Sequence, residues 1–501
     1  MKEHVWIGGA VGFALLSVAL PSCSKGGNPP AQTGSGPQPS VAGELAWNKK
    51  TERQLLDAIA QAPANGLKPD LFLKGELPKD DAQRNAVLTA AALRYADALA
   101  RGYVDPKKVS AIYTLARPST DVRTGLAQAI QSGSVGDWLA SLPPQTEEYR
   151  ALSQAHLHFL QLAAKGTSTP IPNGKPIRPG RVDKRIPLVV AALQANGIIG
   201  PSSPTQSRPG AHAGVQTASD RYTSEIAQAV RQVQTEFGLT ADGVIRGDTI
   251  DALNADPSYR ARQLAIAMER LRWLVRDPPP TRIDVNTAAS LLDYWRDGAL
   301  RQQLRTINGQ PGKWTTPQIQ APIFELVANP YWHVPDRIVE DELSKKSAAY
   351  LAANDFSWRE GRLIQLPGPK NSLGVVKFDM RDPQQIYLHD TPFKSWFSAD
   401  ERHRSHGCVR VQNALDFALE LASEDGVQDR FQEALASGDE TYVKLKREIV
   451  VRLFYRTAFW DGSQVQFRSD IYGWDDDVAR ALGLEQGASR AAYRQQEDVG
   501  P

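Results

Sequence analysis

Cysteine is nearly missing from this sequence, with two in 501 residues, at positions 23 and 408. A disulfide-dense scaffold and a zinc site of the paired-cysteine kind are thereby excluded. An excess of either charge is also lacking: 58 Lys and Arg stand against 56 Asp and Glu, a net charge of +2, so nucleic acid is not implied as a partner. Beyond the first twenty residues every candidate apolar run is broken by Arg, Asp or Pro before it is long enough to span a bilayer. A hydrophobic share of 41% and a charged share of 23% are ordinary for a globular protein, and 501 residues exceed what one core usually organises.

What is present begins with an apolar stretch, Val5 to Leu20, too short and Gly-rich for a membrane span and read as a secretory signal over residues 1–23. It ends in Leu20-Pro21-Ser22-Cys23, which resembles the lipobox of bacterial lipoproteins and predicts a lipid anchor at Cys23; the alternative is a conventional cleavage that removes Cys23. Either way the mature chain is expected outside the cytoplasm, in the periplasm, as an outer-membrane lipoprotein if Cys23 is lipidated. Cys408 then stands alone in an oxidising compartment, where an idle thiol is a liability, and a catalytic use is expected.

Residues 24–44 are rich in Gly, Pro, Ser and Gln and read as a flexible linker. Apolar residues at helical spacing then predict a helical scaffold domain over 45–180. A small unit follows over 181–256, interrupted by a Ser/Pro/Gly loop from Gly200 to Gly214. Its two main helices, from Ile186 and from Ile226, stop at Gly197 and Gly238. The run from Leu239 to Leu253, with the turn Asp242-Gly243 and with Thr249 as a helix cap, resembles the peptidoglycan-binding domain 1 family, which implies a three-helix unit. A further helix is expected from Tyr259 to Trp273. From about Thr281 the texture changes to short β-branched runs: Arg282–Asn286, Glu325–Asn329, Gly374–Phe378, Gln385–His389 and Glu448–Ala458. The fold class expected is thus multidomain α+β, with a mostly β catalytic domain over 257–480 and a disordered tail over 487–501.

The chemistry sits in Ile386-Tyr387-Leu388-His389-Asp390-Thr391-Pro392 and Arg402-His403-Arg404-Ser405-His406-Gly407-Cys408-Val409-Arg410-Val411, which place a His and a Cys nineteen positions apart. A thiol attacks as the thiolate, so it needs an imidazole to take its proton. Gly407 allows close backbone approach, so the amides around Gly407 and Cys408 are candidate oxyanion donors, and a helix expected from about Asn413 would turn its positive end toward the thiol.

These segments resemble the YkuD-type L,D-transpeptidase family, whose signature is a His, a spacer and Ser/Thr-His-Gly-Cys. Leu-His-Asp-Thr-Pro and Cys-Val-Arg-Val are most similar to its large YcbB-type branch, as are Asn329–Pro335 and Tyr455–Gly473. The resemblance implies Cys408 as nucleophile and His389 as base, the ring oriented by a backbone carbonyl at or near Asp390. It implies that His406, Gly407 and Asp390 support the loop or oxyanion site, and that Ser405 and Arg410 bind substrate. Smaller relatives carry Asn where this chain has Arg410, for which a surface salt bridge is the competing role. A capping insertion is implied over about 336–372, with a helix-like piece from Val339 to Ala352. The implied activity is that of a cysteine acyltransferase of class EC 2.3.2.-. It would make a thioester from a tetrapeptide stem of the meso-diaminopimelate type, release D-Ala and form 3→3 cross-links, with an L,D-carboxypeptidase side activity. The implied roles are in cell wall biogenesis and cell shape, with no cofactor or metal, carbapenems as inhibitors, and a monomer as the working form.

Two other readings are open. His389, His403, His406 and Cys408 are possible zinc ligands, but His403 lies between two Arg residues and no His-Glu-x-x-His motif occurs. A non-enzymatic peptidoglycan-binding lipoprotein would leave the intact His and Cys without a use.

Overall fold

The computed structural model describes residues 45–166, 168–200 and 220–484; the expected signal, lipobox, linker and C-terminal tail, and nearly all of the 200–214 loop, lie outside the described residues. The described residues from 45 to 484 belong to one compact unit. It opens with helices α1 (Lys49–Ala60), α2 (Asp81–Arg101), α3 (Val122–Ser132), α4 (Val135–Ser141) and α5 (Glu147–Ala163). α1 starts where the sequence supplies a reciprocal cap: the Asn48 side chain accepts from the amides of Lys50 and Thr51, and the Thr51 hydroxyl accepts from the Asn48 amide. Leu55 and Ile59, one turn apart, pack with Leu88, Tyr95, Leu99 and Leu126 into the helical core.

The small unit contributes α6 (Ile186–Ala195), α7 (Ser224–Glu236) and α8 (Gly247–Asn254). Gly197 and Gly238 take left-handed φ of +71° and +67° just past the first two, the conformation that ends helices at glycine. Gly243 takes +73° in the Asp242-Gly243 turn, whose carboxylate accepts from the Val244 amide at 2.9 Å. Thr249 does not cap α8. It lies inside the first turn, buried, donating to the Val244 carbonyl at 3.3 Å and accepting from Gln234 at 3.2 Å, so it ties α8 to α7 instead.

The next helix, α9 (Pro257–Trp273), is buried over nearly its whole length although it carries Arg260, Arg262, Glu269, Arg270 and Arg272. Ile266 and Trp273 join the helical core, while Leu264, Ala267 and Met268 join the core shared by α5, the small unit and a C-terminal hairpin. Its charges are matched: Arg260 to Glu236 of α7 at 2.8 Å, Arg272 to Glu269 at 2.6 Å, Arg262 to Asp476, and Arg270 to Asp475. A buried pair is weak evidence for stability, but losing one member strands the other charge. Asp475→Ala, which leaves the Arg270 guanidinium and the Thr457 hydroxyl without their partner, is expected to cost about 3–5 kcal/mol in denaturant unfolding.

The remaining strands are β1 (Arg282–Asn286), β2 (Leu291–Arg296), β3 (Ala299–Gly309), β4 (Gln320–Ala328), β5 (Trp332–His333), β6 (Phe356–Arg359), β7 (Arg362–Gln365), β8 (Val376–Met380), β9 (Leu388–His389), β10 (His403–Ser405), β11 (Val409–Val411), β12 (Thr441–Phe454), β13 (Ala458–Trp460) and β14 (Val465–Phe467). Nine form a sheet in the order β10-β3-β11-β9-β8-β4-β12-β1-β2, and β2 pairs back with β3, closing the sheet on itself. The core-facing side chains of this sheet, among them Leu326, Phe378, Leu388, Val409 and Leu453, pack on Phe417 and Leu421 of α12 (Ala414–Glu424) and Phe431 of α13 (Gln428–Ser437). Two expected strands are shorter than their apolar runs. Only Leu388–His389 of 385–389 is strand, since Gln385 takes φ +57°, and the 448–458 run breaks after Phe454 before resuming at Ala458.

Between β4 and β8 the chain builds a separate module. β5, β7 and β6 form a three-stranded sheet over a core of Trp332, Val334, Ile338, Leu343, Phe356 and Leu363. The helix-like piece expected from Val339 to Ala352 is two short helices, α10 (Asp336–Asp341) and α11 (Ala348–Ala353), separated by a tight turn at Leu343–Lys345.

Candidate active site

Strand register assembles the site. β8 and β9 run antiparallel with Lys377 opposite His389 and Phe378 opposite Leu388; β9 and β11 run parallel with Leu388 opposite Val409 and His389 opposite Arg410. Because side chains alternate along a strand, Phe378, Leu388 and Val409 enter the core while Lys377, His389 and Arg410 turn to the other face. One step on, Asp379, Tyr387 and Cys408 share that face. All six line a cavity of about 450 Å³, roofed by Trp332, Arg337 and Ile338 of the module.

His389 is 4% exposed, and its Nδ1 lies 2.5 Å from the Asp390 carbonyl oxygen, which leaves Nε2 for the cavity. The Asp390 carboxylate accepts from the Val375 amide at 3.1 Å and pairs with Lys394, so this buried acid holds the loop before β8 rather than the imidazole. Gly374 makes room for it: at φ +63°, a Cβ there would lie 2.3 Å from an Asp390 oxygen. Burial pushes His389 down to about 3, with the Arg410 guanidinium adding to the shift. Burial likewise pushes the Cys408 thiol up to about 11, partly offset by hydrogen bonding from Tyr387 and by the charges of Lys377 and Arg410. The resting pair is therefore a neutral imidazole and a neutral thiol. The thiol donates to the Gln385 carbonyl oxygen at 3.8 Å.

The turn carrying Cys408 is held from within. The Ser405 hydroxyl donates to the Cys408 carbonyl at 2.5 Å and accepts from the Gly407 amide at 3.2 Å, while Thr316 donates to the Gly407 carbonyl at 2.9 Å. Gly407 takes φ +112°, a conformation open to glycine. Ser405 is thus committed to the turn. Arg410 is 4% exposed, in the cavity wall and near the Trp396 ring. His406 points to the module, toward Glu342. Both His403 nitrogens are engaged, by Glu401 at 2.5 Å and by the Thr287 carbonyl at 2.7 Å, and among the described residues no cluster of His, Cys, Asp and Glu could hold a metal ion. Nor, among them, is any helix long and apolar enough to cross a membrane.

Sequence reasoning missed Lys377, Asp379 and Tyr387, although the signal was there: each alternates with a core residue, Lys377 and Asp379 on β8 and Tyr387 just before β9. Trp314 and Glu342 left no such signal, because only the tertiary fold brings them to His406.

Residues 280–428 match the family model of the YkuD L,D-transpeptidase catalytic domain, and residues 41–155 match that of the Scaffold domain. The later matched stretch is thus similar to a YkuD-type catalytic domain, and the stretch that precedes it is similar to a Scaffold domain. A Haemophilus influenzae protein provisionally named as an L,D-transpeptidase is 30% identical over 242 residues, which cover 43% of this chain and 49% of that protein; the chain spans about half the length of this relative. Among solved structures, an L,D-transpeptidase from Xylanimonas cellulosilytica is 14% identical over 56% of this chain and 99% of its own, with a TM-score of 0.20. One from Stackebrandtia nassauensis is 13% identical over 57% and 97%, with a TM-score of 0.22.

Proposed function

We propose that this chain is a peptidoglycan L,D-transpeptidase working through a Cys408 thioester. The observation that supports it most is a thiol and a neutral, backbone-oriented imidazole on one face of adjacent parallel strands, in a roofed cavity, inside the region matched to the catalytic domain. Cys408 Sγ, giving its proton to His389 Nε2, attacks the carbonyl carbon of the third stem residue. Since the Gly407 amide is already donated to Ser405, the Cys408 amide is the donor for the resulting oxyanion. Collapse breaks the bond to the terminal D-Ala, whose amine takes the proton from His389, leaving a thioester. An acceptor amine then attacks, His389 takes its proton and passes it to the departing sulfur, and the acyl group ends in a 3→3 cross-link.

Water in place of the amine would give L,D-carboxypeptidase products, and the roof over the cavity works against that outcome. Arg410 and Lys377 are suited to stem carboxylates of the meso-diaminopimelate type. Carbapenems fit as acylating inhibitors of the same thiol. The cell wall substrate puts the site outside the cytoplasm, with Cys23 as a lipid anchor, a role in wall biogenesis and cell shape, and wall contact by the 181–256 unit. The test is incubation with a disaccharide-tetrapeptide carrying diaminopimelate. Cross-linked dimer and free D-Ala support the reading, and unchanged tetrapeptide overturns it.

A further inference from the structure

His406 sits between the two residues that shape the catalytic turn, yet its ring leaves the turn altogether. Its Nε2 lies 2.6 Å from Glu342 Oε1, at the C-terminal end of α10 in the roofing module. A carboxylate only accepts hydrogen bonds, so Nε2 carries a proton in this arrangement. The ring also stands edge-on to Trp314, with centroids 4.7 Å apart. Trp314 in turn lies under the Arg337 guanidinium of α10, 4.6 Å from the ring centroid, and its neighbour Lys313 pairs with Asp341 of the same helix at 2.6 Å. The backbone is tight here too: a Cβ on Gly309 would fall 1.8 Å from the Trp314 carbonyl oxygen. The module's apolar core also packs against Trp314 and against Tyr387 beside His389, so these polar and aromatic ties add to an apolar contact with the barrel.

We propose that Glu342 is a positioning residue: through His406 it fixes the Gly407–Cys408 turn and couples the seating of the roof to the alignment of the nucleophile. The inference rests on the transpeptidase reading for its meaning, although the coupling itself does not depend on the substrate. Ser405 and Thr316 hold the turn from the barrel side. Glu342 holds it from the roof side, so the turn is fully constrained only when the module is down. A stem peptide entering between roof and sheet would displace the module and slacken the turn, and closure over the bound stem would restore both.

The test uses the full chain with Glu342→Ala and Glu342→Gln, reading kcat and KM for the tetrapeptide and, separately, the rate at which iodoacetamide alkylates Cys408 without substrate. Glu342→Ala is expected to lower kcat on the order of tenfold, with KM changed less, since one charge-assisted hydrogen bond is lost. Its alkylation is expected to accelerate several-fold, about the effect of weakening one such tie on an open–closed equilibrium. Gln keeps an acceptor for Nε2–H and is expected to recover most of both. A merely structural role would move thermal stability without raising thiol access. Unchanged alkylation in Glu342→Ala, or equal behaviour of Ala and Gln, overturns the coupling. Should Ala fail to fold, the Gln variant's alkylation rate at wild-type value, with His406→Phe accelerated, carries the test, and His406→Phe at wild-type rate overturns it. If the wild type shows no turnover, the alkylation arm still decides the coupling, so its failure and that of the transpeptidase reading stay distinct.

Discussion

Cys408→Ala is expected to reduce acyl transfer by about 10⁴-fold or more, because the substitution removes the bond-forming atom and nothing on the same face replaces it. Lys377 is engaged with Asp379 at 3.1 Å, and Tyr387 is held high in its titration by burial, so neither is a substitute nucleophile in the neutral range. Binding should survive, since the roof, Arg410 and the sheet face are untouched. Equilibrium binding of the tetrapeptide beside single-turnover rates checks this: lost chemistry with retained affinity is the expected pair of results.

His389→Ala is expected to lower the acylation rate by about 10²–10⁴-fold, the range for a positioned general base. The pH dependence is more specific. With His389 pushed down to about 3, the imidazole is already the neutral, proton-accepting form throughout the neutral range, so acylation should show no acid limb near the ordinary value of 6.5. With Cys408 pushed up to about 11, its reaction with iodoacetamide should rise about tenfold per pH unit across neutrality, without a plateau. A plateau already reached near neutral pH would mean a preformed thiolate–imidazolium pair, and it would overturn the neutral resting state.

Much of the fold and the site is legible in the amino-acid sequence alone. Asn48 and Thr51, Gly197 and Gly238, and the β-branched runs at 282–286 and 374–378 encode their caps, helix ends and strands locally, which is why reading them one at a time works. His389 and Cys408 stand out in the sequence because their flanking residues resemble a known signature, and strand register brings both to one cavity. What is not legible depends on distant segments meeting. Thr249 fits a capping role by spacing, yet Gln234 and Val244 claim its hydroxyl. Ser405 reads as a substrate contact, yet the φ of Gly407 turns the chain so that the hydroxyl reaches the Cys408 carbonyl. The apolar spacing of the Tyr259–Trp273 helix gives no hint that its five charged residues are buried, because their partners lie as far away as Asp475 and Asp476. Glu342 and His406 are 64 positions apart.

The central claim is that Cys408 becomes a thioester of the stem peptide, and intact-protein mass after brief incubation with the disaccharide-tetrapeptide tests it most directly. The account predicts an adduct equal to the substrate less D-Ala, present in the wild type, absent in Cys408→Ala, and discharged by hydroxylamine as a thioester is. No adduct with the tetrapeptide merely retained, or an adduct that persists in Cys408→Ala, would contradict it and would return the chain to a wall-binding role without this chemistry.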